Sequence, residues 1–257
     1  YQLDMEMSFV EQEDIFKTVE PIFFDLFTEF GNNKKINKFP FRRISFEESM
    51  SKYGTDKPDL RNPLEITDFT ELFKSDEVKL DIFKKNIKSG GVVKGIVVKN
   101  ISNKPRSFFD NLNKWAIDSG AKGLAYIAFE KNETKIISKG PIAKFFSQNA
   151  LDSLVKDANV SPNDCIFFIS DKYSEAIKFA GLVRTKIGTD LKLIDEDQFN
   201  FCWIVDFPMY QYDEVEKKLE FSHNPFSMPQ ANIDEFDKMD PLKVLAYQYD
   251  LVCNGVE

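Results

Sequence analysis

The opening stretch alternates apolar and polar side chains without a break: Gln2-Leu3-Asp4-Met5-Glu6-Met7-Ser8-Phe9. Alternation with a period of two is typical of a β-strand that has one apolar and one polar face. The polar face carries Gln2, Asp4 and Glu6, and it lies either against solvent or against a polar cleft. The sequence therefore predicts a strand over 1–9 and leaves these two surroundings open.

A helical pattern follows from about 11 to 30. Its apolar residues recur at helical spacing and are predicted to face the core: Ile15, Val19, Ile22, Phe23, Leu26 and Phe30. Pro21 predicts a kink or a division of the helix into two, and Gly31-Asn32 predicts its end. The segment Phe39–Pro63 is polar and rich in turn residues, so we expect an ordered loop or a linker there.

The middle of the chain, from about 64 to 198, alternates strand-like and helical patterns. The predicted strands are Val92–Val98, Leu124–Phe129 and Cys165–Ser170, and the predicted helices are 106–118, 142–156 and 173–187. This alternation indicates a compact α/β module. Gly90-Gly91 precedes a strand where a phosphate-binding glycine motif would follow one, so we interpret the pair as a turn.

After about 200 the pattern returns to strands. Phe201–Tyr210, broken by Pro208, and Leu219–Phe226 predict a hairpin across the charged segment 211–218. Pro241–Cys253 is predicted to be a helix with proline in its first turn, capped by Asn254-Gly255. Because the two outer segments resemble each other and differ from the middle, the simplest arrangement is an α/β module inserted into an antiparallel-sheet domain.

Composition excludes several classes of protein. The 257 residues carry a net charge of −8, which does not suit a general nucleic-acid coat. No apolar run approaches the roughly 18 residues that span a membrane, and no signal peptide is visible at Tyr1. Three cysteines, Cys165, Cys202 and Cys253, favour reduced thiols over a disulfide framework. The single histidine, His223, argues against a histidine-based zinc site.

Several polar residues are candidates for binding. Asp250 and Glu257 converge if the chain turns between them, and two carboxylates suit Mg²⁺ that also contacts substrate phosphates; the alternative is a solvated surface. Asp4 on a polar strand face matches a cationic ligand group such as an ammonium. His223, before Asn224-Pro225, is either a hydrogen-bonded structural residue or a donor to an anionic substrate.

Five stretches together resemble one family, the bacterial-type aspartyl-tRNA synthetases of class II. Tyr1–Phe9 resembles the second strand of class II motif 2 in that family, and Tyr53–Arg61 resembles its YGSDKPDLR signature. Further along the chain, Trp203–Pro208 resembles WVVDFP, His223–Pro229 resembles HHPFT-x-P, and Tyr249–Glu257 resembles YDLVLNG-x-E. The middle segment is similar to the GAD insertion domain of these enzymes. The five stretches follow the family's order and span the whole chain.

The resemblance implies an α+β fold, in which a class II antiparallel sheet flanked by helices is interrupted by the GAD module. The implied bounds are 1–63 and 200–257 for the catalytic domain and 64–199 for the insertion. It also implies an aspartate–tRNA ligase that uses ATP and L-aspartate to make aspartyl-adenylate and passes the aspartyl group to tRNA(Asp), with tRNA(Asn) left open. Adenylate formation depends mainly on positioning and on charge neutralisation by a metal.

Individual roles carry over by position. The resemblance implies that Gln2, Asp4 and His223 bind L-aspartate, that Glu257 binds ATP, and that Asp250 and Glu257 bind Mg²⁺; it assigns no catalytic residue. Asn224 departs from the family, which usually has a second histidine there, so the pocket differs at that position. The implied parent protein is a cytoplasmic homodimer with no membrane segment.

Large parts of the family pattern fall outside the 257 residues, including the arginine-bearing strand before Tyr1 and the glycine-rich segment after Glu257. We therefore expect the chain alone neither to make adenylate nor to charge tRNA. The competing interpretation is a non-catalytic synthetase-like or GAD-bearing protein that binds tRNA or a protein partner. The neighbouring coding sequence discriminates the two, because only the enzyme requires an arginine-bearing strand upstream and a glycine-rich, arginine-containing strand downstream.

Overall fold

The computed structural model describes residues 4–132, 135–213 and 215–257. Its α-helices are α1 Gln12–Phe30, α2 Phe46–Tyr53, α3 Thr70–Lys74, α4 Asp81–Lys88, α5 Arg106–Asp118, α6 Gln148–Asp157, α7 Tyr173–Asp190 and α8 Ile233–Phe236, with short 3-10 helices at Ala143–Phe145 and Pro241–Lys243. A membrane-spanning helix would need more length and more apolar surface than any helix in these ranges has.

The strands are short in the outer parts of the chain and longer in the middle. They are β1 Lys35–Ile36, β2 Arg42–Ser45, β3 Ile66–Asp68, β4 Val92–Val98, β5 Ala125–Asn132, β6 Lys135–Lys139, β7 Cys165–Asp171, β8 Gln198–Phe199, β9 Phe201–Val205, β10 Phe207–Pro208, β11 Tyr210–Asp213, β12 Lys218–Phe221, β13 Leu245–Ala246 and β14 Asp250–Cys253.

The chain divides into two compact units. One, here called the outer unit, comprises Tyr1–Ser49, Asp56–Arg61 and Asp195–Glu257; the other, the middle unit, comprises Met50–Thr55 and Asn62–Ile194. The chain therefore leaves the outer unit and returns to it. The longer stretch of the middle unit, 62–194, lies close to the predicted insertion 64–199. Residues 50–55, predicted to lie in the first part of the catalytic domain, group with the middle unit.

Strand β9 is the centre of the outer unit. It pairs in parallel with β2, from Arg42 opposite Cys202, and antiparallel with β14, from Asp250 opposite Ile204. Every residue of β9 is buried. Because side chains alternate across a strand, Phe201, Trp203 and Val205 share one face, and they form an aromatic core with Phe16 of α1.

Helix α1 matches its predicted span and runs unbroken through Pro21, but its buried face differs from the predicted stripe. The helix packs on the sheet core through Phe16, Val19, Phe23 and Phe27. Ile22, Leu26 and Phe30 of the predicted stripe are exposed. The prediction was wrong because nine of the 19 residues of this helix are aliphatic or aromatic, and spacing alone does not say which of them meet the sheet.

A buried carboxylate lies on the same face of α1. Glu20 is only 2% exposed, and its Oε1 accepts hydrogen bonds from the Phe41 backbone N–H (3.2 Å), the Arg43 guanidinium (2.7 Å) and the Trp203 indole N–H (2.9 Å). Arg43 lies over the Phe16 ring, with 4.9 Å between its Cζ and the ring centroid. This cluster joins α1, the start of β2 and β9 through one side chain.

The middle unit is built on a five-stranded sheet in the order β3-β4-β7-β5-β6, and every neighbouring pair is antiparallel. Strands β4 and β5 of the segment β4–α5–β5 run in the same direction, but they are not paired with each other. Strand β7 lies between them and pairs antiparallel with both. The expected α/β module therefore has an antiparallel sheet and belongs to the α+β class. The cause is long-range pairing, which the local alternation of helices and strands does not specify.

Both faces of this sheet are covered. Helices α5 and α7 pack on one face against Phe167 and Ile169, while α3, α4 and α6 pack on the other against Ile166 and Phe168. Burial on both faces explains why β4 and β7 are mostly apolar. Lys94 in β4 is the exception, and its buried ammonium pairs with Asp68.

The middle unit also contains a close backbone approach. A Cβ on Gly181 of α7 would lie 2.8 Å from the carbonyl oxygen of Gly54, and Gly54 has a positive φ of 75°. Further along α7, the guanidinium of the buried Arg184 donates to the carbonyl oxygens of Leu64 (2.6 Å) and Asn62 (2.8 Å). The loop after α2 is thus held tightly on α7 without a large side chain between them.

Two predicted elements are absent from the described residues. Residues 4–9 form no strand: the described polar-face residues Asp4 and Glu6 are exposed, and so are Met5, Met7 and Phe9 on the other face. A strand needs a hydrogen-bonded neighbour, and no described segment pairs with this one. Residues 1–3 lie outside the described part. The predicted helix Pro241–Cys253 is wrong as well, since this segment forms a 3-10 turn followed by β13 and β14.

The predicted hairpin is present, although its strands are shifted. Strands β11 and β12 pair antiparallel from Tyr210 opposite Phe221 to Asp213 opposite Lys218. The predicted first strand is divided at Asp206, which has a positive φ of 57°, and Pro208 lies inside β10. His223 follows β12 in a non-strand segment.

Candidate functional site

The end of β14 folds back on itself in a tight turn. Asn254 and Gly255 both have positive φ, 55° and 87°. The backbone N–H of Cys253 donates to the Val256 carbonyl oxygen at 2.8 Å, and the backbone N–H of Val256 donates to the Cys253 carbonyl oxygen at 3.0 Å. Two residues with positive φ between such a pair are typical of a hairpin turn, not of a helix cap. The turn brings Glu257 back alongside β14.

Asp250 begins β14 and is half-buried. Burial raises the pKa of its carboxyl, and the charge of Glu257 raises that pKa further, while the Lys57 ammonium lowers it. Asp250 and Glu257 therefore share the same charged surroundings, and their joint binding of a ligand stays a prediction. The path between them is a strand and a turn, where a helix was expected.

Lys57 provides the positive charge beside the pair. Its Nζ lies 2.9 Å from a carboxylate oxygen of Asp56 and 3.2 Å from one of Glu257. The hydrogen bond to Asp56 is the main cause of a raised Lys57 pKa, and the bond to Glu257 adds to it against the opposing effect of burial. Sequence reasoning missed Asp56 and Lys57 as site residues. The charge density of Tyr53–Arg61 was the available signal, but the segment was interpreted as a loop and a family signature without a role for either residue.

The rest of this loop is fixed by an internal ion pair. Arg61 holds Asp59 with two side-chain hydrogen bonds of 2.9 and 2.8 Å, and its backbone N–H donates to the same carboxylate at 3.0 Å. The bond to Asp59 raises the pKa of Arg61. A bidentate pair of this geometry restricts the loop, so Lys57 projects from an ordered segment.

His223 lies at the surface of the outer unit, edge-on to two rings. Its ring centroid is 4.9 Å from that of Phe207 and 5.9 Å from that of Phe46. Its charge lowers the pKa of Asp250, so the imidazole also belongs to the surroundings of the carboxylate pair. The next residue, Asn224, accepts a hydrogen bond from the Phe226 backbone N–H at 2.8 Å, which turns its amide towards its own loop.

Asp4, a predicted aspartate-binding residue, is not joined to this group. It is exposed, and within the described ranges no hydrogen bond or ion pair links it to Asp250, Glu257 or His223. Gln2, the other candidate at the start of the chain, lies outside the described residues.

Two carboxylates are a plausible donor set for Mg²⁺. Among the residues that the structure describes, no cluster of three or more histidine, cysteine, aspartate or glutamate side chains forms a complete protein cage for a metal. Mg²⁺ usually keeps several waters and binds through one or two carboxylates together with substrate phosphates, so Asp250 and Glu257 fit that mode and would need a phosphate ligand to complete it.

The cysteines are poorly suited to nucleophilic chemistry. All three are free thiols. Burial raises the pKa of Cys202 to about 12 and that of Cys253 to about 11, and it raises the pKa of Cys165 as well. Since the thiolate is the reactive form, these thiols are almost entirely protonated near neutral pH.

Comparison with known proteins gives consistent relatives. The chain is 54% identical over 258 residues to the "Aspartate--tRNA(Asp/Asn) ligase" of Pelagibacter ubique (strain HTCC1062), and the match covers 100% of this chain and 43% of that protein. Proteins of the same name from Rickettsia canadensis (strain McKiel) and Wolbachia pipientis subsp. Culex pipiens (strain wPip) are 51% and 52% identical, with 100% of this chain and 42% of each relative covered. The chain thus spans less than half the length of these relatives.

Among solved structures, a hypothetical protein PH0730 from Pyrococcus horikoshii OT3 aligns with 44% of this chain and 68% of its own length at 18% identity. Its TM-score of 0.27 is too low to bear on the fold. The family description "tRNA synthetases class II (D, K and N)" matches residues 1–257, which is the whole chain. The chain belongs to the class II tRNA synthetases of the D, K and N group.

Proposed function

We propose that the full-length protein containing this chain is an aspartate–tRNA ligase. It would activate L-aspartate with ATP and transfer the aspartyl group to tRNA(Asp). The relatives named as aspartate–tRNA(Asp/Asn) ligases extend the proposal to tRNA(Asn). The observation that carries it is the identity of 54% along the entire chain to a relative of that name.

The carboxylate pair has a role in this proposal. Asp250 and Glu257 would hold Mg²⁺, and through it the phosphates of ATP. Bound there, Mg²⁺ would supply charge neutralisation for the phosphate oxygens. The half-buried position of Asp250 supports this role, because a low-polarity environment strengthens an electrostatic contact.

The amino-acid site is proposed at His223, Asp4 and Gln2. His223 would donate to an anionic group of the substrate, and Asp4 would face its ammonium. For Asp4 and Gln2, the support is the family resemblance of the segment that carries them. For His223, it is also the electrostatic influence of the imidazole on Asp250.

The middle unit is proposed to be the GAD insertion domain, with bounds near 64–199. The support is its sequence resemblance and its position, since the outer unit is interrupted and then resumed around it. For the full-length protein we propose a homodimer in the cytoplasm, with aspartate, ATP and tRNA as its partners.

The test uses the full-length protein in aspartate-dependent exchange of pyrophosphate into ATP. We expect exchange with aspartate alone among the amino acids. Asp4→Ala should raise the KM for aspartate by roughly 100-fold, because bound substrate would cover Asp4 and removing one partner of such a desolvated ionic contact costs several kcal/mol. Glu6→Ala, a carboxylate two residues away with no assigned role, is the matched control and should leave that KM within about threefold.

Two outcomes would contradict the proposal. Absence of aspartate-dependent exchange by the full-length protein would favour a non-catalytic synthetase-like protein, particularly if tRNA binding persisted. Equal effects of Asp4→Ala and Glu6→Ala would remove the assignment of Asp4. The 257-residue chain alone is expected to give no exchange.

A further inference from the structure

Lys57 supplies a positive charge beside the carboxylates of the proposed site. Its ammonium contacts Glu257 at 3.2 Å, and the same ammonium contacts Asp56 at 2.9 Å. The side chain is 35% exposed, so it lies neither free in solvent nor deep in the core. The protein thus places one of its own cations on a carboxylate proposed to bind a metal.

The arrangement of the loop allows this contact to be exchanged. The partners of Lys57 include two carboxylates, and one of them, Asp56, is its neighbour in the chain. The Arg61–Asp59 ion pair restricts the loop a few residues beyond Lys57. A lysine ammonium on a flexible four-carbon stem can move between acceptors without rearrangement of the backbone.

We propose that Lys57 is a phosphate-binding residue of the nucleotide site, held on Glu257 when no ligand is bound. This inference rests on the proposed function of Glu257. When Glu257 ligates a divalent cation, its contact with Lys57 is weakened, because two cations on one carboxylate repel each other. The ammonium then has Asp56 and the nearest phosphate oxygen as acceptors, and lysine is a common phosphate ligand in proteins.

The exchange predicts two effects of opposite sign. Replacing Lys57 by an uncharged residue removes a competitor for Glu257, so a bare divalent cation should bind more tightly. The same replacement removes a phosphate contact, so the nucleotide should bind more weakly. A purely structural role of Lys57, such as fixing the loop, would instead weaken both ligands together.

The experiment measures two dissociation constants on the full-length protein: Mn²⁺ alone, from the free-ion electron paramagnetic resonance signal, and ATP in saturating Mg²⁺, from calorimetry. We expect Lys57→Met to tighten Mn²⁺ by about threefold, the size of effect typical of a partly exposed ion pair. It should weaken ATP by roughly tenfold or more, as for loss of a charged hydrogen bond. Lys57→Arg keeps the charge and should hold ATP within about threefold of the wild type.

Lys186→Met is the matched control. Lys186 is also 35% exposed and pairs with one carboxylate, Asp190, at 2.8 Å in the middle unit. It should change neither constant. Glu257→Gln separates this inference from the proposed function, because it should weaken both Mn²⁺ and ATP.

The outcomes distinguish the two ideas. If Glu257→Gln changes neither constant, the metal role of Glu257 is wrong. If Glu257→Gln weakens both ligands while Lys57→Met matches Lys186→Met or shifts both constants in the same direction, the metal role stands and the inference about Lys57 is overturned. Circular dichroism of each variant checks that the fold is retained.

Discussion

Glu20 is the residue whose removal should damage the outer unit most. It is almost fully buried, and a single oxygen of its carboxylate accepts from the Arg43 guanidinium, the Trp203 indole and the Phe41 backbone. Glu20→Ala would leave all three donors without this acceptor in a site that water scarcely reaches. Arg43 would keep only Glu13, at 3.1 Å, and its contact with the Phe41 carbonyl oxygen.

The size of the effect follows from these contacts. Removing one partner of a buried ion pair costs about 3–5 kcal/mol, and each neutral donor left unsatisfied costs about 1–3 kcal/mol. The contributions share one site and do not add, and the Arg43 side chain is 25% exposed and can recruit water. We therefore expect Glu20→Ala to lower the free energy of unfolding by about 4 kcal/mol. Glu20→Gln, which keeps an oxygen acceptor but loses the charge, should lower it by about 2 kcal/mol.

The two tryptophans make the measurement specific, because Trp203 lies in the outer unit and Trp115 in the middle unit. In a Trp115→Phe background, urea unfolding followed by tryptophan fluorescence reports on the outer unit alone. Glu13→Gln, which removes a 58% exposed partner of Arg43, is the control and should cost less than about 1 kcal/mol. An effect of Glu20→Ala no larger than that of Glu13→Gln would refute the assignment of Glu20 as the centre of this cluster.

Two further predictions concern Asp250 and Gly181. The charged groups around Asp250 are Glu257, Lys57, Asp56 and His223. Burial and Glu257 raise the pKa of Asp250 above its ordinary 3.8, so the folded state holds the proton more tightly and stability falls as pH rises through that window. Asp250→Asn should therefore raise the unfolding free energy at pH 7.5 by up to about 1 kcal/mol, with the gain shrinking towards pH 4 in urea titrations; an equal gain at both pH values would contradict this. Gly181→Ala should destabilise the middle unit by about 1–3 kcal/mol, because the new Cβ meets the Gly54 backbone, whereas Lys178→Ala on the same helix should cost under about 0.5 kcal/mol; Trp115 fluorescence during urea unfolding measures both.

Elements with a strong local signal were predicted well. Strand β4 has its predicted bounds because it follows a glycine turn and is rich in valine and isoleucine, as burial on both faces favours. Helix α5 also has its predicted bounds, 106–118. Elements that depend on distant partners were not. Residues 4–9 carry the alternation of a strand, but a strand also needs a neighbour, and β2 was hidden in a polar segment because its pairing partner β9 is more than 150 residues away in the chain.

For the candidate site, the sequence identified several of the residues but not the backbone path that connects them. Asp250 and Glu257 were named, but Asn254-Gly255 was interpreted as a helix cap. The same dipeptide is a strong signal for a hairpin turn, and the local sequence does not choose between the two. Lys57 was missed because an ion pair to Glu257 spans 200 positions of sequence. His223 and Asp4 stay predictions as substrate ligands.

The turn at Asn254-Gly255 has a consequence for chemical ageing. Asparagine followed by glycine is prone to deamidation, in which the glycine nitrogen attacks the asparagine side-chain carbonyl carbon and closes a succinimide ring. Here the Asn254 amide is held at both ends, since its oxygen accepts from the Asn200 backbone at 2.9 Å and its nitrogen donates to the Gln198 carbonyl at 3.0 Å. The amide cannot rotate towards the glycine nitrogen while β14 stays paired with β9. Isoaspartate at position 254 would therefore accumulate chiefly in molecules whose outer unit has opened. Its amount would report how often this part of the chain, next to Glu257, has unfolded locally.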